Sequence, residues 1–199
     1  KALPTKSLLM QTLIVKENQK RAVELAVSIL ARGGLVVAPT ETCYGLLADA
    51  SNRAAVGKVF KAKKRSGSKS VSVFMSGEKM VRKYCQLNPR ALRLIKQFLP
   101  GPLTIVLQRK ERSLLARSLS PDSTIAIRVS SHPFIQEIVG RFGRPVTATS
   151  ANISGKGNAY SFKRIRKELL RKADLLVDAG ALERVPASTV VDARGAHLR

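Results

Sequence analysis

Apolar and polar residues follow two periods along this chain, and the switches between them mark out its elements. Ala22, Val23, Ala26, Val27, Ile29 and Leu30 recur at helical spacing, predicting a helix over Gln19 to Arg32. Asn18 would cap it and Gly33-Gly34 would stop it. Leu35 to Pro39 is a short apolar run that reads as a buried strand, and Ser51 or Asn52 opens a second helix reaching about Lys63. Val71 to Met75 reads as a strand and Gly77 to Gln86 as a helix. Asn88-Pro89 caps another helix that ends before Pro100-Gly101-Pro102. Strands follow at Leu103 to Gln108 and Thr124 to Val129, with a short helix near Ser113 to Arg117 between them. His132-Pro133 then opens a helix to about Arg141, ahead of a strand at Pro145 to Ala148. From Ser161 to Lys172, Phe162, Ile165, Leu169 and Ala173 predict an amphipathic helix whose other face is basic. Leu175 to Val177 and Thr189 to Val191 supply late strands. The alternation implies an α/β fold with a mixed parallel and antiparallel sheet, since several connections are too short for crossover helices. A chain of 199 residues suits one domain, 1–199, with 1–18 as an N-terminal extension.

Composition changes this picture in one respect. Hydrophobic content of 44% is ordinary for a globular chain, and no apolar run approaches the roughly 18 residues of a membrane span. No stretch reads as a secretory leader, and two cysteines, Cys43 and Cys85, have no metal-ligand spacing, so a reduced cytoplasmic setting is expected. The charge is unusual. Thirty-six Lys and Arg against 13 Asp and Glu give +23, which favours polyanions and RNA above all. A solvated, merely basic surface is the plain alternative. Cys43 lies inside a motif, but with no His close in sequence it reads as a packing residue rather than a nucleophile.

Two segments concentrate polar chemistry at predicted strand ends: Pro39-Thr40-Glu41-Thr42-Cys43-Tyr44-Gly45 and Thr149-Ser150-Ala151-Asn152-Ile153-Ser154-Gly155. In open α/β sheets, ligands bind where strands end. Between them lies the cationic cluster Lys61 to Arg65. Neither a Gly-x-x-x-x-Gly-Lys-Ser/Thr loop nor a Gly-x-Gly-x-x-Gly turn is present, so phosphate would be held by side chains. Lys63 offers a point charge and Arg65 a planar fork; a basic helix end that merely complements the helix dipole is the competing reading. Ser150 and Asn152 add neutral donors and acceptors, and Gly155-Lys156-Gly157-Asn158 continues as a cationic loop. Arg128, the one charge in its strand, needs a partner: a substrate carboxylate or phosphate, or an internal acid.

These segments, with Thr124-Ile-Ala-Ile-Arg128-Val-Ser-Ser-His132-Pro133 and Ser188-Thr189-Val190-Val191-Asp192, stand in the order and spacing of the YrdC/Sua5 family, which the chain resembles from about Lys20 onward. The resemblance implies a twisted open sheet flanked by helices around a large basic cleft. It implies synthesis of L-threonylcarbamoyl-adenylate from L-threonine, bicarbonate or CO2 and ATP, with Mg2+ on the phosphates and no metal site of the protein's own. The product would pass to a separate threonylcarbamoyl-transferase complex that modifies tRNA. Lys63, Arg65, Ser150 and Asn152 would contact the nucleotide, joined by Thr124, Asn158, Lys69 and Arg199. Thr42, Arg128 and Ser188 would form the threonine site, with Arg128 on the carboxylate. No catalytic base is implied beyond positioning by Lys63 and Arg65. Ser66, Lys69, Ser70 and Phe74 depart from the Pro, Asn, Pro and His that many members carry, and loss of two prolines loosens that loop. The competing class is a non-catalytic relative that binds double-stranded RNA, tRNA or the ribosome through its basic surface. Hydrogenase-maturation chemistry is a third option, without the zinc-finger and acylphosphatase modules expected there.

Overall fold

The computed structural model describes residues 11–14 and 18–194; Arg199 lies outside them. In chain order the elements are β1 (Gln11–Ile14), α1 (Gln19–Ala31), β2 (Val36–Pro39), β3 (Tyr44–Leu47), α2 (Arg53–Lys63) and β4 (Ser72–Phe74). Next come α3 (Glu78–Tyr84), α4 (Pro89–Phe98), β5 (Leu103–Gln108), β6 (Thr124–Arg128), α5 (Pro133–Phe142) and β7 (Val146–Ser150). Then follow α6 (Lys167–Leu170), β8 (Leu175–Asp178) and β9 (Thr189–Asp192). Four helix starts are fixed by side-chain caps. Asn18 accepts from Arg21 N at 3.1 Å, Asn52 from Ala54 N at 3.0 Å, Asn88 from Ala91 N at 2.8 Å, and His132 Nδ1 from Phe134 N at 3.2 Å. Each satisfies an amide that the helix itself leaves unpaired.

The strands form one mixed sheet in the order β1-β8-β2-β3-β7-β4-β6-β5-β9. Along β2, β3, β4 and β8, alternate residues enter different cores, as a two-residue period requires. Val36, Ala38, Leu47, Phe74, Val146, Ala148, Leu175 and Val177 pack with α1 and α5 on one face. On the other face, Val37, Leu46 and Leu176 join α2 and α6, while Val73, Ile105 and Ile127 join α3 and α4. Beyond Phe74, the α1 and α5 layer ends, and the registers place Arg128, Ala126, Thr104 and Val190 on that same uncovered face. Both Gly45 and Ser150, paired in register, also belong to it. The connection from β8 to β9 runs from beside one edge of the sheet to the opposite edge.

Three features differ from the sequence-based expectation. Tyr44–Leu47 is a strand rather than part of a loop, antiparallel to both β2 and β7. The run Ser161 to Lys172 is not one helix: a 3-10 turn at Phe162–Arg164 and the short α6 are separated by extended Ile165 and Arg166. Six cations in twelve residues repel along a continuous helix, and the run's acid, Glu168, pairs with Lys64 at 2.8 Å instead. Gln11–Ile14, within the stretch read as an extension, pairs with β8 as β1.

Candidate functional site

The uncovered face carries a pocket of about 240 Å3, lined by Thr40 and Thr42 from the β2–β3 turn, Phe74, Arg128, Ser150 and Ser188, among others. Gly45 also lines it, and a β-carbon there would come within 2.9 Å of Thr40 Cγ2. The β2–β3 turn is held by Thr40, whose Oγ1 donates to Cys43 O at 2.7 Å and lies 3.2 Å from Thr42 Oγ1. Cys43 is buried, and burial pushes its thiol up, away from the reactive thiolate form.

Arg128 finds its partner inside the protein. Its Nη2 donates to Glu41 Oε1, and Ser130 Oγ donates to the other oxygen of the same carboxylate. Phe74 supports the guanidinium from one side, its ring centre 5.2 Å from Arg128 Cζ. Arg128 Nε is buried with no acceptor among the described residues. The arginine is therefore anchored but not fully satisfied. Glu41, the one acid of the first polar segment, is what anchors it.

A second cluster forms at the carboxyl end of β7. Lys63 is buried at 1% exposure, with its ammonium on Ser150 O, on Asn152 O at 2.9 Å and on Asn152 Oδ1 at 2.9 Å. Three N–H groups thus meet three oxygens. Burial, and then Arg65 nearby, draw the Lys63 ammonium down to about 8. Ser150 Oγ donates to Asn152 Oδ1 at 2.6 Å, and Asn152 Nδ2 donates to Gly157 O at 3.2 Å and to Lys156 O. Lys64, between the two candidate cations, sits in the left-handed region at φ 49°, which turns the chain sharply after α2.

Arg65 points elsewhere, donating to Ser70 O at 2.5 Å and Lys69 O at 3.4 Å. Ser70 Oγ lies 3.2 Å from Ser120 Oγ, which donates to Asp122 Oδ1 at 2.8 Å. Thr124 Oγ1 donates to Asp122 at 2.5 Å, and that bond above all holds Asp122 down at about 2. A hydrogen-bonded chain so links Arg65 to Thr124 through the shared acceptor Asp122. Because β6 runs against β7, it is the start of β6 that lies at this end of the sheet, not a carboxyl end.

Lys63, Ser150 and Asn152 are thus in direct contact, while Thr42, Arg128, Asn158 and Ser188 share one pocket. Lys69 is exposed and meets neither group; its carbonyl accepts from Arg65. The expected large basic cleft reduces, at this pocket, to hydroxyl and apolar walls with Arg128 as the charged lining residue. Thr104, whose Oγ1 lies 2.8 Å from Ser188 Oγ, has no signal in the sequence, since the two are 84 residues apart. Among the described residues no group of His, Cys, Asp and Glu is arranged to hold a metal ion, and no helix is long and apolar enough to cross a membrane.

Residues 28–199 match the family Sua5/YciO/YrdC, described as "Telomere recombination". A relative from Methanocaldococcus jannaschii is 35% identical over 178 residues, covering 88% of this chain and 82% of its own length. The threonylcarbamoyl-AMP synthase of Bos taurus is 35% identical over 179 residues, covering 86% of this chain and 63% of that protein. Among solved structures, Pyrococcus abyssi Sua5 complexed with L-threonine aligns with a TM-score of 0.83 at 30% identity, covering 92% of this chain and 54% of that one. The chain spans less than two thirds of the bovine synthase and about half of that Sua5.

Proposed function

This chain belongs to the Sua5/YciO/YrdC family, and from that footing we propose that it is a threonylcarbamoyl-AMP synthase, a nucleotidyltransferase acting on L-threonine, bicarbonate or CO2 and ATP. The observation that carries this reading is Arg128, fixed by Glu41 in a hydroxyl-lined pocket and left with an unsatisfied buried N–H. A carboxylate is the group a guanidinium fork receives best. At about 240 Å3 the pocket is below the usual range for drug-sized ligands, which suits an amino acid rather than a whole nucleotide. Thr42 and Ser188 supply neutral polar groups to the rest of such a ligand.

The nucleotide would lie along the neighbouring end of the sheet, by Lys63, Arg65, Thr124, Ser150, Asn152 and Asn158. In the reaction, threonine's amine adds to CO2 and loses a proton, giving a carbamate. A carbamate oxygen then attacks the α-phosphorus of ATP, and pyrophosphate leaves. Both reactants are anionic, so fixed cations offset their repulsion and hold them aligned. Mg2+ would come with ATP, on the phosphate oxygens, and spread their charge.

The test is threonine-dependent release of pyrophosphate from ATP in the presence of bicarbonate and Mg2+. Release with wild-type protein and its loss in Arg128→Leu supports the synthase; no release with folded wild-type protein defeats it. A second reading has its own support. The +23 charge exceeds what ATP requires, and all three Lys63 N–H groups are occupied by protein oxygens. That favours an RNA-binding relative without catalysis, which would show tight, salt-sensitive RNA binding and no pyrophosphate. Transfer of the product to tRNA by a partner complex, in the cytoplasm, belongs to the first reading.

A further inference from the structure

A second cavity, of about 560 Å3, opens at the far end of the β5–β6 hairpin. None of the residues assigned above to ATP or threonine lines it. The hairpin closes with Arg109 N donating to Ser123 O at 2.8 Å, and the chain after α3 is drawn alongside by Gln86 N donating to Gln108 O at 2.9 Å. Arg109, Lys110 and Arg117 line the cavity against one acid, Glu111, and none of the three makes an ion pair among the described residues. Lys110 Nζ donates to Arg82 O at 2.6 Å, a neutral acceptor that leaves its charge uncompensated. Arg109 Nη1 is buried with no acceptor among the described residues. Folded proteins leave very few buried donors unpaired, and a charged one is the most expensive to leave so. Gln108 Nε2 is fixed on Ser123 Oγ at 2.8 Å, so the polar wall is ordered rather than loose.

We propose that this cavity, walled by Arg109, Lys110, Arg117, Gln86, Gln108 and Ser123, is a phosphate-binding site separate from the pocket around Arg128. Two guanidinium groups and an ammonium against one carboxylate call for an anion of more than one negative charge. Planar forks beside neutral amides match a tetrahedral oxyanion with several acceptor oxygens. A metal ion is excluded by the excess of cations. The phosphate could be borne by an RNA backbone or by a small phosphorylated molecule, and the experiment separates the two.

Inorganic phosphate is titrated into the 15N-labelled full chain at low salt, and backbone amide shifts are followed. The shifts should centre on Arg109, Ser113 and Ser123, and Arg109→Gln should weaken the binding at least tenfold. Arg117→Gln, on an exposed turn, should weaken it several-fold and guards against misfolding of the first variant, with thermal melts to verify both. A fluorescent twelve-nucleotide RNA is then measured by anisotropy with the same proteins. Affinity that falls in both variants identifies the phosphate as that of a polynucleotide; unchanged RNA affinity with lost phosphate binding identifies a small phosphorylated ligand. Shifts confined to Lys63, Arg65 and Arg128, or folded variants that bind phosphate like the wild type, would overturn the proposal. None of these readouts depends on pyrophosphate release, so the site stands or falls independently of the synthase.

Discussion

Lys63, at the end of the helix α2 that packs on the other face of the sheet, and Arg128, which lines the pocket at the end of β6, are two cations that the protein treats in different ways. Lys63 gives every N–H to an oxygen of the Ser150 to Asn152 segment, so its ammonium ties α2 to β7. Arg128 is held at one nitrogen by Glu41, propped by Phe74, and keeps another N–H without an acceptor. The first arrangement builds a wall. The second holds a binding group in place while leaving it some capacity for a ligand. Two cations held by the same sheet can therefore differ in purpose, and their hydrogen-bond partners distinguish them better than their charge does.

The sharpest way to break this contrast is Arg128→Lys. A lysine keeps the charge but loses the fork, and kcat/KM for threonine should fall at least about 100-fold, about 3 kcal/mol, with KM for ATP little changed. Equal activity would show that only charge matters there. Next, Lys63→Met should destabilise the chain by about 3 kcal/mol in urea unfolding, because buried carbonyl oxygens lose their donor. A stable Lys63→Met protein that had lost only nucleotide binding would mean the lysine is no structural tie. Removing the anchor should separate charge from position. Glu41→Gln should keep the fold and tighten threonine binding a few-fold in calorimetry, since a competing carboxylate is gone; Glu41→Ala should loosen Arg128 and cost about 3 kcal/mol of stability.

The pH dependence sharpens the same point. The folded-state value of Lys63, about 8, lies below its ordinary 10.5, so between these values the unfolded chain binds more protons. Lys63 thus makes stability rise with pH from about 8 to 10.5, while any nucleotide affinity that needs the ammonium falls above about 8. Titrating both in wild type and Lys63→Met would isolate the residue. The smallest effect belongs to Lys64. Relieving a β-carbon held at φ 49° should make Lys64→Gly neutral or stabilising by about 1 kcal/mol, offset by loss of its exposed pair with Glu168.

Much of this was legible in the sequence where local signals suffice. Asn18, Asn52, Asn88 and His132 announce their helices because capping is a contact over two or three residues. Lys63, Ser150 and Asn152 could be grouped by motif, but the pairing of Glu41 with Arg128 spans 87 residues and follows from the fold alone. The strand Tyr44–Leu47 was hidden because both its faces are buried, so it shows no alternation, and its glycine resembles a turn. The run at 161–172 misled in the opposite sense, offering a helical stripe that charge repulsion and burial of Ile165 and Leu169 break into two turns.

The passage from β8 to β9 has a consequence for how the pocket could evolve. Seven neighbour spacings of about 4.8 Å make roughly 34 Å across a flat sheet, and eleven residue steps of about 3.4 Å reach roughly 37 Å. The connection is also pinned on the way, Leu182 N donating to Tyr160 O at 2.7 Å, so the length of the stretch after Leu182 bears on the height of the rim near Ala187 and Ser188 alongside side-chain identity. Lengthening or shortening that tether would admit bulkier or smaller guests while every residue that touches them stayed the same.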